Sequence, residues 1–253
     1  MNGIKNKKKG KVYICGAGPG DPSLITMKCW DLIKKCDVIL YDRLVSSGIL
    51  KLIPKNKGKV YVGRTSGDPT TNQFKTNQIM LQYALEGKKV LRLKGGDPFI
   101  FGRGGEEAEF LHENSIDFEI IPGISSAIGA AIYSGIPLTH RKYSSSIAIV
   151  TGHEDPLKEE MTIRWDKIAT GVDTIVILMG VEKLESILKK LQKYGLSEET
   201  KIAVIEKGTL KDQKIILGNF NNIRKKIENA AVKPPAVIII GEVVSLSERI
   251  RWI

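Results

Sequence analysis

At 253 residues the chain can bury a substantial core, in one large or two modest domains. Its formal net charge of +11 suits an anionic ligand without separating nucleic acid from a polycarboxylate. No apolar stretch approaches the length of a membrane span, which excludes a helical membrane protein.

Lys5, Lys7, Lys8, Lys9 and Lys11 form a basic run with nothing apolar interrupting it, so residues 1–11 read as a solvated, disordered tail. The apolar run after it is too quickly broken by glycine for a signal peptide. Strand-like runs then alternate with helix-like segments. Val12–Cys15, Val38–Tyr41, Val60–Val62, Val90–Leu93 and Phe118–Ile121 predict five strands of a first half. Between them, Leu24–Cys36 carries Ile25, Cys29, Leu32, Ile33 and Cys36 on one helical face, and Asn77–Glu86 and Glu106–Glu113 predict further helices. Such alternation implies crossover helices and a mostly parallel sheet. Pro122-Gly123 breaks the pattern before a small-residue helix over Ile124–Tyr133, ending at Gly135. A second series runs Ile147–Val150, Thr174–Leu178, Ile202–Ile205, Ile215–Leu217 and Val237–Ile240, with an amphipathic helix over Leu184–Tyr194 closed by Gly195. The spacer between Ile205 and Ile215 is too short for a crossover helix, so that pair is expected to be antiparallel. The chain therefore reads as α/β with an N-terminal domain over 12–122 and a C-terminal domain over 123–253.

Cys15, Cys29 and Cys36 form no CxxC pair and read as reduced core thiols of a cytoplasmic protein. His112, His140 and His153 show no metal-ligand spacing, so no metal is expected.

Two glycine-dense loops carry the functional signal, Gly16-Ala-Gly-Pro-Gly-Asp21 and Lys94-Gly-Gly-Asp-Pro-Phe-Ile-Phe-Gly-Arg-Gly-Gly-Glu-Glu107. Each follows a predicted strand, where an open α/β sheet presents its ligand-binding edge. Gly16 and Gly18 fit the first two glycines of a dinucleotide fingerprint, and Asp42 closes the second strand where such folds place a ribose-binding acid. Asp21 stands at the third glycine position, where it would oppose a pyrophosphate, and Pro19 and Pro22 remove two N–H donors that a phosphate cradle needs. A plain strand-to-helix turn is the simplest alternative for either loop. The basic tail also leaves a nucleic-acid-binding module open, although aromatic residues are sparse and do not interleave with the basic ones.

Together with Tyr41-Asp-Arg-Leu-Val-Ser46, Pro122-Gly-Ile124 and Ser134-Gly-Ile-Pro-Leu-Thr-His-Arg141, these loops follow an order that closely resembles the uroporphyrinogen-III C-methyltransferases, from about Val12 to Trp252. Gly18-Pro-Gly-Asp21 and Gly95-Gly-Asp-Pro98 are shared with the wider family of tetrapyrrole methyltransferases, including cobalamin-pathway enzymes, and with diphthine synthase. The Tyr41–Ser46 and Phe101–Glu107 stretches are narrower. The resemblance implies the tetrapyrrole methylase fold, a class III methyltransferase and not a Rossmann fold. Two α/β domains would hold S-adenosylmethionine (SAM) in a cleft between them. It implies cofactor contacts at Pro19, Gly95, Gly96, Asp97, Ile100, Ser125, Ser126, Met179 and Gly208; Ser125-Ser126 departs from the usual Thr-Ala.

SAM brings a sulfonium, an ammonium and a ribose diol, which carboxylates and backbone carbonyls at strand ends suit. The tetrapyrrole substrate carries carboxylates that arginine forks fit, and the resemblance places Arg103, Glu106 and Arg141 against it. Glu106 and Glu107 equally suit a helix N-terminus with no catalytic duty. Arg43 beside Asp42 is either a further substrate contact or a local ion partner. By resemblance, Asp42 is the base that takes a ring proton after methyl transfer. Arg64 stands where relatives carry a proton-donating lysine, and because arginine keeps its proton, it is expected to position a substrate carboxylate. The implied reaction gives precorrin-2 and S-adenosylhomocysteine, feeding sirohaem, cobalamin or haem d1. A homodimer with no nucleic-acid or membrane partner is implied too. Without a preceding dehydrogenase-ferrochelatase segment, a stand-alone methyltransferase is expected.

Overall fold

The computed structural model describes residues 8–63, 71–153 and 163–253. Two compact units follow one another along the chain, Met1–Ser125 and Ser126–Ile253.

The first unit runs β1 (Lys11–Gly16), α1 (Met27–Lys35), β2 (Val38–Tyr41), α2 (Ser47–Leu50), β3 (Gly58–Tyr61), α3 (Thr71–Leu85), β4 (Val90–Lys94), α4 (Gly104–Glu113) and β5 (Asp117–Ile121). Its strands form a wholly parallel sheet in the order β3-β2-β4-β1-β5. Apolar residues on both faces of the central strands require cover on both sides, as a parallel sheet does. Cys15, Ile39, Leu91 and Leu93 pack with Cys29, Leu32 and Ile33 of α1. Val12, Ile14, Val38, Leu40 and Val90 pack with Met80 and Ala84 of α3 and Leu111 of α4. Fully burying each Val, Leu, Ile or Met among them is worth about 1.5–3 kcal/mol.

Several boundaries differ from the expected ones: α3 starts at Thr71, not Asn77, α4 at Gly104, not Glu106, and α5 at Ser126, not Ile124. The first helix starts at Met27, not Leu24, because Asp21 caps a separate 3₁₀ turn over Pro22–Leu24 and the Thr26 hydroxyl accepts from the Cys29 amide at 3.2 Å. The basic tail is shorter than expected: Lys11 opens β1, the Gly10 amide donates to the Ala84 carbonyl at 2.7 Å, and Lys9 Nζ donates to the carbonyls of Asn114 and Ser115 at 3.2 Å. Local backbone pairing thus reaches back into the lysines; the rest of the expected tail, residues 1–7, lies outside the described residues.

The second unit runs α5 (Ser126–Tyr133), β6 (Ile147–Thr151), α6 (Trp165–Gly171), β7 (Thr174–Leu178), α7 (Leu184–Lys193), β8 (Lys201–Glu206), β9 (Lys214–Asn219), α8 (Ile223–Asn229), β10 (Ala236–Ile240) and α9 (Ser247–Ile250). The sheet order is β6-β7-β10-β8-β9. The pair β8–β9 is antiparallel, as the short spacer requires, and β6–β7 is parallel. A mostly parallel sheet does not hold here, since β10 runs antiparallel to both β7 and β8. The physical reason is the connection: α8 returns the chain so that β10 runs the same way as β9, and hence opposite to β8 between them. One face packs Ile175, Ile177, Ile202, Val204 and Ile238 with Leu184, Ile187, Leu188 and Leu191 of α7. The other packs Val176, Ala203, Ile205 and Ile239 with Ala127, Ala130 and Ala131 of α5, whose small side chains bring that helix close.

Candidate active site

The two glycine loops are joined. Past the ends of β1 and β4, the Gly18 amide donates to the Gly96 carbonyl at 3.1 Å, and the Gly96 amide returns a bond to the Gly18 carbonyl at 2.7 Å. The Ala17 amide donates to the Lys94 carbonyl at 2.7 Å. Gly123, past β5, closes the cluster: a Cβ added at Gly123 would lie 2.4 Å from the Gly96 carbonyl oxygen, and one at Gly16 would lie 2.6 Å from that oxygen. Only glycine permits this approach of three backbones.

This geometry removes the dinucleotide alternative. A pyrophosphate needs free amides at a helix N-terminus directly after the first strand. Here the amides of Ala17 and Gly18 are committed to the other loop, Pro19 has none, and α1 starts only at Met27. Asp21, the residue out of place in a dinucleotide fingerprint, accepts from the Ser23 amide and hydroxyl, each at 2.8 Å. Asp97 is anchored likewise: Oδ1 accepts from the Phe99 amide at 2.8 Å and Oδ2 from the Gly123 amide at 3.0 Å. The carboxylate that the sequence offers to a cationic ligand thus also pins its own loop to the end of β5. Next to it, Phe99, Ile100 and Phe101 expose apolar surface, and Phe101 (φ 52°) and Arg103 (φ 58°) take up left-handed backbone.

Asp42 stands at the end of β2, partly exposed. Its Oδ1 accepts from the Leu44 amide at 3.1 Å, and its Oδ2 accepts from Arg92 Nη2 at 3.3 Å. The neighbouring Arg43 is exposed, so the ion partner of Asp42 comes from β4 and not from the next residue. Arg92 belongs to a buried ionic cluster that the sequence reading missed. Arg92 Nε and Lys94 Nζ both reach Glu107 Oε1 at 3.0 Å, with Glu107 wholly buried at the start of α4. Burial alone would raise the Glu107 carboxyl; Arg92 and Lys94 outweigh it and hold the carboxyl below the ordinary carboxylate range. Burial, with Arg92 beside it, lowers the Lys94 ammonium. A signal for the cluster was present in Val90-Leu-Arg-Leu-Lys94: two cations two apart share one face of a strand whose other positions are apolar.

The remaining substrate candidates are brought together in part. Arg103 and Glu106 pair with each other, Nε lying 2.9 Å from Oε1 and 3.1 Å from Oε2, so the fork meant for a substrate carboxylate already holds a protein one. Arg141 is exposed in the turn around the His140–Ser144 bridge. Arg64 lies outside the described residues. Ser126 opens α5 at the start of the second unit, and Ser125, the last residue of the first, is buried. Met179 follows β7 with φ 55° and its side chain half exposed. Gly208 follows β8 between two further left-handed residues, Lys207 (φ 51°) and Thr209 (φ 70°). Since β7 and β8 are both antiparallel to β10, they point the same way, and Met179 and Gly208 lie past the same edge of that sheet. Left-handed non-glycine residues cost roughly 1–2 kcal/mol and concentrate where function holds them.

A family model for tetrapyrrole (corrin/porphyrin) methylases matches residues 11–224. The chain belongs to this family and has the tetrapyrrole methylase fold. It is 48% identical to the S-adenosyl-L-methionine-dependent uroporphyrinogen III methyltransferase of Methanosarcina barkeri, over 94% of each chain. It is 46% identical to the siroheme synthase of Pseudoalteromonas atlantica, covering 96% of this chain and 52% of that protein. The chain thus spans about half the length of the siroheme synthases it matches. Among solved structures, uroporphyrin-III C-methyl transferase from Thermus thermophilus complexed with S-adenyl homocysteine superposes with a TM-score of 0.79 at 37% identity, covering 93% of each chain.

Proposed function

We propose that the chain uses SAM to methylate uroporphyrinogen III on carbons of two adjacent pyrroles, giving precorrin-2 and two molecules of S-adenosylhomocysteine. The observation that carries this reading is the hydrogen-bonded pair of glycine loops. The amides of Ala17, Gly18 and Gly96 are spent between the loops, which disfavours a phosphate ligand there, while an acid stands at the end of β2. The donor set fits the cofactor. The loops offer carbonyls and carboxylates to a cationic ligand, and Phe99, Ile100 and Phe101 offer apolar surface. Pro19, Gly95, Gly96, Asp97 and Ile100 of the first unit, with Ser125, Ser126, Met179 and Gly208, are the residues we assign to SAM.

Bound SAM supplies an electrophilic methyl group on a sulfonium. The protein's share is mainly to hold an electron-rich pyrrole carbon at attack distance and to exclude water. As the new carbon–carbon bond forms and the carbon–sulfur bond breaks, positive charge moves onto the ring. Asp42, fixed through both oxygens, stabilises that charge and accepts the ring proton that restores neutrality. Arg103 and Arg141 are assigned to substrate acetates and propionates, with Glu106 yielding the Arg103 fork when a substrate carboxylate arrives. Arg64 is assigned to positioning. Activity that survives Arg64→Lys and falls at least tenfold in Arg64→Ala supports this role, and full activity in the alanine variant ends it.

A cytoplasmic homodimer belongs to the same proposal. The family resemblance supports the dimer, and a set of buried thiols suited to a reducing compartment supports the location, with burial pushing Cys36 up to about 12. The test of function is incubation with SAM and enzymatically generated uroporphyrinogen III. Mass detection of a doubly methylated tetrapyrrole supports the proposal. Bound SAM with unmethylated tetrapyrrole would move the chain to another substrate.

A further inference from the structure

We propose that Arg92 is a positioning residue that aims Asp42, and that Glu107 is the anchor that fixes Arg92. The inference rests on the function proposed above and names residues beyond those assigned there. All three guanidinium nitrogens of Arg92 are used: Nε donates to Glu107 Oε1 at 3.0 Å, Nη1 to the Leu93 carbonyl at 3.1 Å, and Nη2 to Asp42 Oδ2 at 3.3 Å. Arg92 is therefore a rigid bridge from a buried anchor to a partly exposed carboxylate at the strand edge.

The anchor is built asymmetrically. Glu107 Oε1 accepts from Arg92, from Lys94 at 3.0 Å and from Gln73 Nε2 at 3.2 Å. Gln73 in turn donates to Asn77 Oδ1 at 3.1 Å. Glu107 Oε2 has no hydrogen-bond partner among the described residues, although the side chain is wholly buried. Three donors on one oxygen and none on the other indicate a carboxylate placed for its cations and not for its own solvation.

Stability does not explain this arrangement. Buried ion pairs often contribute less than an apolar replacement of the same volume. The rest of this sheet face is such a core, with Val90 on the same strand and Ile14 and Leu40 in register beside Arg92. What the ions supply is orientation. The Leu44 amide holds one Asp42 oxygen and Arg92 the other, so the carboxylate cannot rotate away from the strand edge. Arg92 and Lys94 also balance the charges of Glu107 and Asp42, two against two. The inward charges on β4 thus connect sequence pattern to the aim of the catalytic group.

The experiment is a double-mutant cycle of Glu107→Gln with Asp42→Asn, read together with crystal structures of the Glu107→Gln variant and the wild-type protein. The expected result is a fall in kcat of roughly 10–100-fold for Glu107→Gln with little change in KM for either substrate. In the Asp42→Asn background the same substitution should change the residual rate by less than about twofold, because both changes remove one function. In the variant crystal, the Asp42 carboxylate should have left hydrogen-bonding distance of Arg92. Multiplicative losses in the cycle, or an Asp42–Arg92 contact kept intact in the crystal, would overturn the proposal. If Glu107→Gln does not fold, Arg92→Lys replaces it, since an ammonium cannot serve Glu107, Leu93 and Asp42 at once; the same cycle and crystal criteria apply. A wild-type protein that binds SAM but leaves uroporphyrinogen III unmethylated defeats the functional reading instead, and the crystal arm still decides whether Glu107 holds Arg92 on Asp42.

Discussion

The two units build five-stranded sheets covered on both faces, yet they treat charge in opposite ways. In the first, β4 brings Arg92 and Lys94 into a face that is otherwise apolar and balances them with Glu107 and Asp42. In the second, β10 reads Ala236-Val-Ile-Ile-Ile240 and is apolar on both faces. Among the described residues, that unit keeps its one buried carboxylate, Glu206, at the end of β8, and sets the left-handed residues Met179, Lys207 and Thr209 past its strand ends. An all-parallel sheet sends the C-terminal end of every strand to one edge, so a carboxylate there, such as Asp42, can be held from an adjacent strand. A sheet with an antiparallel centre contributes turns instead.

The largest effect that would break this comparison concerns rate. Asp42→Asn should reduce methyl transfer by roughly 10²–10⁴-fold while equilibrium SAM binding stays unchanged. Equal loss of both in a calorimetric and kinetic comparison would make Asp42 a binding residue. Next come two stability losses of similar size and different character. Glu107→Ala should cost about 3–5 kcal/mol in urea unfolding, because Lys94 loses its buried counter-ion and Arg92 keeps only the partly exposed Asp42. Ile238→Ala, wholly buried on β10, should cost about 2–5 kcal/mol through the cavity it leaves. Glu107 in the folded protein is held below the ordinary carboxylate range, so its contribution is complete above that range and disappears as pH falls below it. The wild type and Glu107→Ala should therefore converge in acid, whereas the Ile238→Ala gap should persist. Matching pH profiles for the two variants would remove the contrast between the units.

Smaller effects sharpen the picture. Met179→Gly relieves left-handed backbone, and unfolding should show a gain of about 0.5–1 kcal/mol after the entropy that glycine loses. The same variant should bind SAM about tenfold more weakly if the side chain contacts the cofactor, a difference of about 1.4 kcal/mol. Unchanged SAM affinity would take Met179 out of the site. The smallest effect is on the first unit's surface. Glu119 accepts from Lys11 at 2.8 Å and also pairs with Lys28, and hydrogen bonding to these lysines lowers its carboxyl to about 2. Stability from this group is complete above the unfolded value and fades as pH drops toward 2. Glu119→Gln should cost no more than about 1 kcal/mol near neutrality and nothing near the acid end.

Much of the fold was legible because long apolar runs bounded by glycine or proline leave few choices. Val38–Tyr41 and Thr174–Leu178 have the bounds that their sequence indicates. The short helices α2, α6, α8 and α9 were not legible, since four to seven residues give too few turns for a periodicity to show. The direction of β10 was hidden as well, because a strand buried on both faces reads the same in either sense. At the candidate site, motifs pointed to Asp42, Gly95 and Gly96, whose local chemistry is written in neighbouring residues. Arg92 and Glu107 were lost inside an apolar run and a helix start. What unites them is spatial: fifteen residues apart in sequence, they meet across the strand-to-helix packing. Arg43 was the nearer candidate for Asp42 and lost to Arg92, which comes from the adjacent parallel strand.

The account depends on the bridged loops accepting a sulfonium ligand, and calorimetric titration of the purified protein with SAM tests this most directly, with a nicotinamide dinucleotide as competitor. Saturable SAM binding that the dinucleotide leaves untouched is the predicted outcome. Dinucleotide binding that displaces SAM, or no SAM binding at all, would contradict it.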